Sequence, residues 1–262
     1  QSLYPGVGQF SLPNLFIFDL IFLHGWVNFH CQKWVNFGLP LTVSEGVFSM
    51  EGDIVKLPEL VHLVKKYNGR IMIDDAHGTG ILGRDGRGTL EHFRLEDEVD
   101  LVMGTCSKSL ASIGGFIAGD EEVIHYLKHH ARSLMFSASL PPSLAASIST
   151  AIEIIEKEPE RRQRLWENVN KMRRELKTLG FNIGKSETPI IPIIIGDNFQ
   201  VFQMWKLLFD NGIFTNPVIT PAVPKEQSRI RTTYMATHTD EQLDKALEIF
   251  ESVGKKLNLI PG

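Results

Sequence analysis

The residue most suited to covalent chemistry is Lys108. It lies in the run Val99 to Gly115, Val-Asp-Leu-Val-Met-Gly-Thr-Cys-Ser-Lys-Ser-Leu-Ala-Ser-Ile-Gly-Gly. Leu101 to Met103 reads as a short buried strand that ends at Gly104 and opens into a hydroxyl-rich turn. Thr105, Ser107 and Ser109 flank the lysine, and Phe116 to Gly119 reads as the next strand. A lysine between two apolar strands is expected to be partly buried, which lowers an amine's pKa and makes it a better nucleophile. The neighbouring hydroxyls and backbone N–H groups suit an anion such as a phosphate. An ordinary lysine on a surface turn is the competing reading, and this stretch alone leaves both open.

The elements around it form a regular order. Leu41 to Ser44 reads as a strand, and Glu45 to Asp53 as a loop with two glycines. Leu57 to Tyr67 is predicted helical: Pro58 suits its first turn, Leu57, Leu60, Val61 and Val64 share a face, and Gly69 follows its end. Arg70 to Ile73 is then a buried strand leading into Asp74-Asp75-Ala76-His77-Gly78. Strand, helix and strand in this order make a βαβ unit of a parallel sheet, where ligands gather at the carboxyl ends of strands. Ser49, Asp74 with His77, and Thr105-Ser107-Lys108 fall at such ends. Their convergence is the argument for a site. Singly, Asp74 also reads as a turn former and His77 as a core histidine.

Beyond the second strand, Glu121 to Ala131, Ser143 to Lys157 and 159 to 179 are predicted helical, broken by Met135 to Pro142. The charged stretch Glu156 to Arg164 reads as a solvated face. Pro189 to Ile195 and Arg229 to Tyr234 read as strands, Phe199 to Phe209 as a helix, and Ile213 to Val223 as a proline-marked loop. Thr239 and Gln242 form a capping box for a last helix. Arg231, on a strand near a loop, suits two-pronged binding of a carboxylate or a surface ion pair.

Composition excludes several classes. The 262 residues carry a net charge of −4, which does not suit a general nucleic-acid binder. The two cysteines, Cys31 and Cys106, give neither a metal-ligand spacing nor a disulfide framework, so a reducing cytoplasm is expected. Residues 1–40 hold only two charged side chains, Asp19 and Lys33, among many aromatics. Their apolar run, Leu15 to Val27, is too short for a membrane span and lacks a signal peptide's basic start. His24, His30 and Cys31 lack a fourth partner for a metal, and no metal site is expected.

Together these motifs resemble the fold-type I enzymes that use pyridoxal 5'-phosphate (PLP), and among them the α-oxoamine synthases. That family includes serine palmitoyltransferase, 8-amino-7-oxononanoate synthase and glycine C-acetyltransferase. The matching text is Glu45 to Asp53, Asp74-Asp-Ala-His77, Gly86-Arg-Gly88, Gly104-Thr-Cys-Ser-Lys108 and Phe136-Ser-Ala-Ser-Leu-Pro-Pro142. Arg231 and Ala236-Thr-His-Thr239 match near the end, and the likeness covers about Leu41 to Leu259.

The resemblance implies an α/β PLP-dependent transferase fold of the aspartate aminotransferase type. Residues 41–145 would form a partial large domain with a mainly parallel sheet. Residues 146–262 would form linking helices and a smaller α+β domain. Residues 1–40 do not match, so the family's amino-terminal part is expected to be missing or altered. Lys108 would carry the cofactor covalently and later move the Cα proton. Asp74 would pair with the ring nitrogen, His77 and Ser49 would contact the phenolic oxygen, and Ala76 would pack on the ring face. Thr105 and Ser107 would bind the phosphate. Ser137 and Ala138 would reach the partner subunit's cofactor in a homodimer, and Arg231 would hold the substrate carboxylate.

The implied reaction is a decarboxylating Claisen-type condensation of an amino acid with an acyl-CoA. The Asn216 to Pro224 loop and the Ser-Leu-Pro-Pro run resemble most those of the serine palmitoyltransferases, which implies L-serine with a long-chain acyl-CoA, giving a 3-ketosphinganine-type aminoketone. The family's ring-stacking residue cannot be carried onto His24 or His30, and Asp75 stands where glutamate is more usual. The alternatives are 8-amino-7-oxononanoate synthase or glycine C-acetyltransferase activity, and a non-catalytic or truncated partner subunit. A nucleotide-driven motor, suggested by Asp74 to His77, lacks its phosphate loop, since Ser107 precedes Lys108 and Val102 takes the first glycine's place.

Overall fold

The computed structural model describes residues 21–23, 26–30 and 40–261, the first two stretches as backbone only. His24 and Cys31 therefore lie outside the described residues, as does the side chain of His30. The chain divides into two compact units. The first comprises residues 1–46 and 55–154, the second 47–54 and 155–262.

The first unit is built on a six-stranded sheet in sequential order: β1 (Ile21–Leu23), β2 (Trp26–His30), β3 (Pro40–Glu45), β4 (Arg70–Asp74), β5 (Leu101–Thr105) and β6 (Gly115–Gly119). The central strands β3, β4 and β5 run parallel, and both flanks are antiparallel. The β1–β2 hairpin was not legible in the sequence.

Helix α1 (Leu57–Lys66) crosses from β3 to β4 and lays Leu57, Leu60, Val61 and Val64 into the core. Ile71 and Ile73 of β4, the strand α1 packs on, are buried as well. An aspartate fixes the next strand: Asp100 accepts from the Ile71 backbone N–H at 2.9 Å and from Arg70 Nη1 at 2.7 Å. A short helix, α2 (Thr89–Phe93), sits in the glycine-punctuated connection to β5 and was not predicted.

After β6 come α3 (Glu121–His130), α4 (Arg132–Met135) and α5 (Pro142–Lys157), the last running across the division at residue 154. None of residues 111–154 is buried. Ile113, Phe116, Leu134, Met135, Phe136 and Leu140 are all exposed.

The second unit holds α6 (Pro159–Thr178), β7 (Ile190–Gly196), α7 (Asn198–Asp210), β8 (Asn216–Val218), β9 (Ser228–Thr233) and α8 (Asp240–Lys256). Its antiparallel sheet has the order β7-β9-β8. Leu165, Val169, Met172 and Leu176 of α6 recur at helical spacing and are buried, as are Val201, Met204 and Leu208 of α7. The predicted capping box forms: Thr239 accepts from the Gln242 N–H, and Gln242 accepts from the Thr239 N–H at 3.0 Å. Strand β8 lies inside the stretch expected to be an irregular loop.

Candidate functional site

In the first unit, two adjacent parallel strands end in the residues singled out above. Asp74 closes β4 and pairs in register with Met103 of β5, so Thr105 to Lys108 begin two residues further along the neighbouring strand. The turn carrying Ala76 and His77 and the loop carrying Lys108 thus leave the same edge of the sheet. They are also tied directly, because the Ser109 hydroxyl donates to the Thr79 carbonyl at 2.7 Å.

Asp74 is half-buried. Its Oδ1 accepts from the Ala76 N–H at 3.0 Å, and its Oδ2 has no partner among the described residues. One carboxylate oxygen therefore fixes the turn and the other stays open to an external N–H donor. Thr105 and Ser107 pair their hydroxyls at 2.9 Å, and the Ser107 N–H reaches Thr105 Oγ1 at 3.3 Å. Two hydroxyls and an amide gathered on an exposed turn are neutral donors suited to an anion.

Lys108 departs from expectation. It is exposed, not partly buried. Its loop turns Cys106 and Leu110 inward instead, and the strand that follows, β6, is itself exposed. Ser137 donates to the Ser133 carbonyl of its own helical turn, and both Ser137 and Ala138 are exposed.

The remaining two candidates, Ser49 and Arg231, meet in the second unit. Arg231 lies on β9 and donates from Nε to the Ser49 carbonyl at 2.6 Å. Burial pulls its guanidinium below the usual arginine range. Its two Nη groups have no partner among the described residues, which leaves the fork open to a carboxylate. The sequence reading passed over Arg229. It sits two residues along the same strand, hence on the same face. It is 1% exposed, donates to Met50 O at 3.3 Å and faces Glu51 Oε1 at 3.4 Å. Two arginines at period-two spacing thus pin the loop that carries Ser49. That spacing, Arg-Ile-Arg on a predicted strand, was the available signal.

Asp75, noted above only for standing where glutamate is more usual, is the second residue given no role by the sequence. It is 1% exposed and accepts from Thr89 Oγ1 at 2.5 Å and Thr89 N–H at 2.8 Å. Burial pushes its carboxyl up to about 6, against the lowering effect of those two hydrogen bonds.

With a three-strand parallel centre and a lysine, an aspartate and paired hydroxyls on one edge, the architecture is that of a PLP-dependent transferase. Residues 40–250 match the aminotransferase class I and II family, and the chain belongs to it. Serine palmitoyltransferase from Sphingobacterium spiritivorum is 52% identical over 219 residues, 84% of this chain and 55% of the relative. The 8-amino-7-oxononanoate synthase of Treponema denticola is 45% identical over 229 residues, 87% of this chain and 58% of the relative. Among solved structures, Sphingomonas wittichii serine palmitoyltransferase is 37% identical with a TM-score of 0.82, covering 84% of this chain and 56% of its own. A serine palmitoyltransferase from S. paucimobilis, 35% identical with a TM-score of 0.81 over the same shares, was solved with bound PLP and myriocin. The chain spans little more than half the length of these relatives.

Proposed function

We propose that this chain carries the cofactor- and amino-acid-binding parts of a PLP-dependent α-oxoamine synthase, an acyl-CoA:amino acid C-acyltransferase. The observation that carries the reading is the parallel pairing of β4 with β5, in which Asp74 lies opposite Met103 and the Thr105–Lys108 segment leaves the same edge. The donor set fits the cofactor: a primary amine, a carboxylate with one open oxygen, and neutral hydroxyl and amide donors for a phosphate. When bound, PLP supplies an electron-accepting ring that stabilises negative charge at the amino acid's Cα.

The chain's own residues do the rest. Lys108 Nζ would hold the cofactor covalently, and once the substrate's amine has displaced it, the freed amine would take the Cα proton. Exposure keeps the amine accessible for that exchange. Asp74 Oδ2 accepts from the ring nitrogen and keeps it protonated. His77 and Ser49 donate toward the phenolic oxygen, and Ala76 lies against the ring face. Thr105 and Ser107 hold the phosphate. Arg231 takes the substrate carboxylate on its two Nη groups while Nε stays on Ser49 O. Ser137 and Ala138 reach toward the partner subunit's cofactor in a homodimer.

For the substrates we propose L-serine and a long-chain acyl-CoA, because the serine palmitoyltransferases from Sphingobacterium spiritivorum and Bacteroides ovatus, at 52% and 50%, are somewhat more similar than the synthases from Thermosipho melanesiensis and Treponema denticola at 48% and 45%. Those synthases support a second reading, 8-amino-7-oxononanoate synthesis. Two experiments test the proposal. Borohydride reduction after incubation with PLP is expected to leave the cofactor's mass on Lys108 in the parent and none in Lys108→Ala; no adduct in the parent overturns the cofactor reading and favours a non-catalytic partner subunit. Product analysis with serine, glycine and alanine, each against short- and long-chain acyl-CoA, is expected to give product chiefly from serine with the long chain. Activity with glycine and acetyl-CoA alone overturns that choice.

A further inference from the structure

The function proposed above gives no task to Asp75, the most enclosed acid among the described residues of the first unit. Every polar atom of Asp75 is engaged. Its N–H donates to Met103 O at 2.8 Å, on the neighbouring strand β5. Its carbonyl accepts from the Gly78 N–H at 3.1 Å, the Thr79 N–H at 2.9 Å and the Thr79 hydroxyl at 3.0 Å, which closes the turn after β4. Its carboxylate takes both donors of Thr89, the first residue of α2 and itself fully buried.

Three glycines close around that carboxylate. A Cβ at Gly46 would lie 2.6 Å from Asp75 Oδ1, one at Gly78 2.1 Å from the same oxygen, and one at Gly88 1.8 Å from Oδ2. Only Gly88 has a positive φ, +101°. Gly46 and Gly78 have backbones that other residues adopt, so it is the close approach of the Asp75 carboxylate and the Thr89 hydroxyl, the latter 2.4 Å from a Cβ at Gly46, that requires glycine there. Gly46 ends the β3 segment of the unit, Gly78 belongs to the turn, and Gly88 precedes α2. One carboxylate therefore joins three segments that are remote in sequence.

Burying an acid this deeply without a cation costs stability. An apolar side chain would fill the space without that cost, so the arrangement points to geometry and not to filling. We infer that Asp75 is a positioning residue: by gripping Thr89 it seats the 74–79 turn, and so sets where Asp74 and His77 stand relative to the Lys108 loop. The path is short. The Ala76 N–H fixes Asp74 Oδ1 within the same turn, and the Thr79 carbonyl at the turn's end takes the Ser109 hydroxyl, one residue beyond Lys108.

The inference rests on the proposed cofactor site, and its test separates the two. The variants are Asp75→Asn, Thr89→Val, which removes only the hydroxyl donor, and Thr89→Ser, which restores it. In the full-length protein, PLP is titrated by absorbance well below each variant's melting temperature. Asp75→Asn and Thr89→Val are expected to weaken binding by about tenfold or more, the scale of a lost hydrogen bond to a charged group, and Thr89→Ser to recover most of that loss. Hydrogen–deuterium exchange is read in the same samples. The 75–79 and 88–93 amides should lose protection in the two weak variants while those of α1 keep theirs.

A merely structural role predicts unchanged PLP affinity whichever way the melting temperature moves, and that result overturns the inference. So does parent-like exchange in both turn and α2. If the parent itself takes up no PLP, the cofactor reading fails, and loss of exchange protection confined to the turn and α2 still decides whether Asp75 seats them.

Discussion

Asp75 gives the first prediction at the level of single residues, and its sign follows from its environment. Its carboxyl is raised from 3.8 to about 6, first by burial, with the Asp74 carboxylate adding to the shift and Thr89 opposing it. Asp74 is the charged group acting on it among the described residues. Below about pH 4 the acid is neutral in both folded and unfolded chains and imposes no charge penalty. Between pH 4 and 6 the unfolded chain gives up its proton first, so folding loses stability as pH rises. Above pH 6 the loss is constant at about 3 kcal/mol. Asp75→Asn has no such proton. Urea unfolding at intervals from pH 4 to 7 should therefore show the parent's stability relative to Asp75→Asn declining by about that amount, and a pH-independent difference contradicts the assignment. Arg231 gives a second prediction. Lysine keeps the charge but cannot hold Ser49 O and a two-pronged carboxylate together. Arg231→Lys is expected to raise KM for the amino acid by roughly 10- to 100-fold, the worth of a charge-assisted hydrogen bond, with a smaller effect on KM for the acyl-CoA. Equal changes in both KM values would remove Arg231 from the carboxylate site.

Among elements, the 47–54 loop shows how the chain beyond a strand end is held in place. The chain leaves the first unit at Gly46 and re-enters it at Val55, whose N–H donates to Gly46 O at 2.9 Å. Between them Val47 and Ile54 form an antiparallel bridge, and Gly52 sits at a φ of +77°. Its carbonyl takes the Thr188 hydroxyl at 2.9 Å and the Glu187 N–H at 3.1 Å, and a Cβ there would lie 2.2 Å from Ile190 O. Gly52→Ala thus combines a left-handed backbone with a backbone clash. It should destabilise the second unit by about 2 kcal/mol or more, read as a lower urea midpoint; an unchanged midpoint refutes the account. This loop also marks what the sequence made legible. Periodicity found α1, α6 and α8, because each keeps an apolar stripe facing a core. Short apolar runs bounded by glycine found β4 and β5, and the motifs at their ends found Asp74 and Lys108. Pairing across long sequence distances left no local trace. The grip of Asp75 on Thr89, of Arg229 on Met50 and of β8 on β9 are all of that kind. The exposure of Lys108 was hidden for a related reason, since two flanking strands predict burial only when something covers the second one.

At the scale of the whole molecule, that uncovered region is the dominant feature. No residue from 111 to 154 is buried, yet the stretch carries Ile113 at 60% exposure, Leu134 at 57%, Met135 at 52% and Phe136 at 77%. Apolar side chains this concentrated on a surface suit a contact with another chain. They flank Ser137 and Ala138, the residues proposed to serve the partner subunit, so the exposed segment and the proposed homodimer account for each other. Phe136 separates association from folding. Within the described residues its ring contact is with Arg132, whose Cζ stands 5.9 Å from the centroid, one helical turn back. Phe136→Asp removes no core packing and should shift the melting free energy by no more than about 0.5 kcal/mol. A carboxylate placed in an apolar contact between subunits is costly to desolvate, so the same change should convert a two-chain species to single chains in sedimentation velocity. A parent that sediments as a single chain at every concentration removes the homodimer from the proposal. A variant that stays paired moves the contact away from this segment and with it the role given to Ser137 and Ala138.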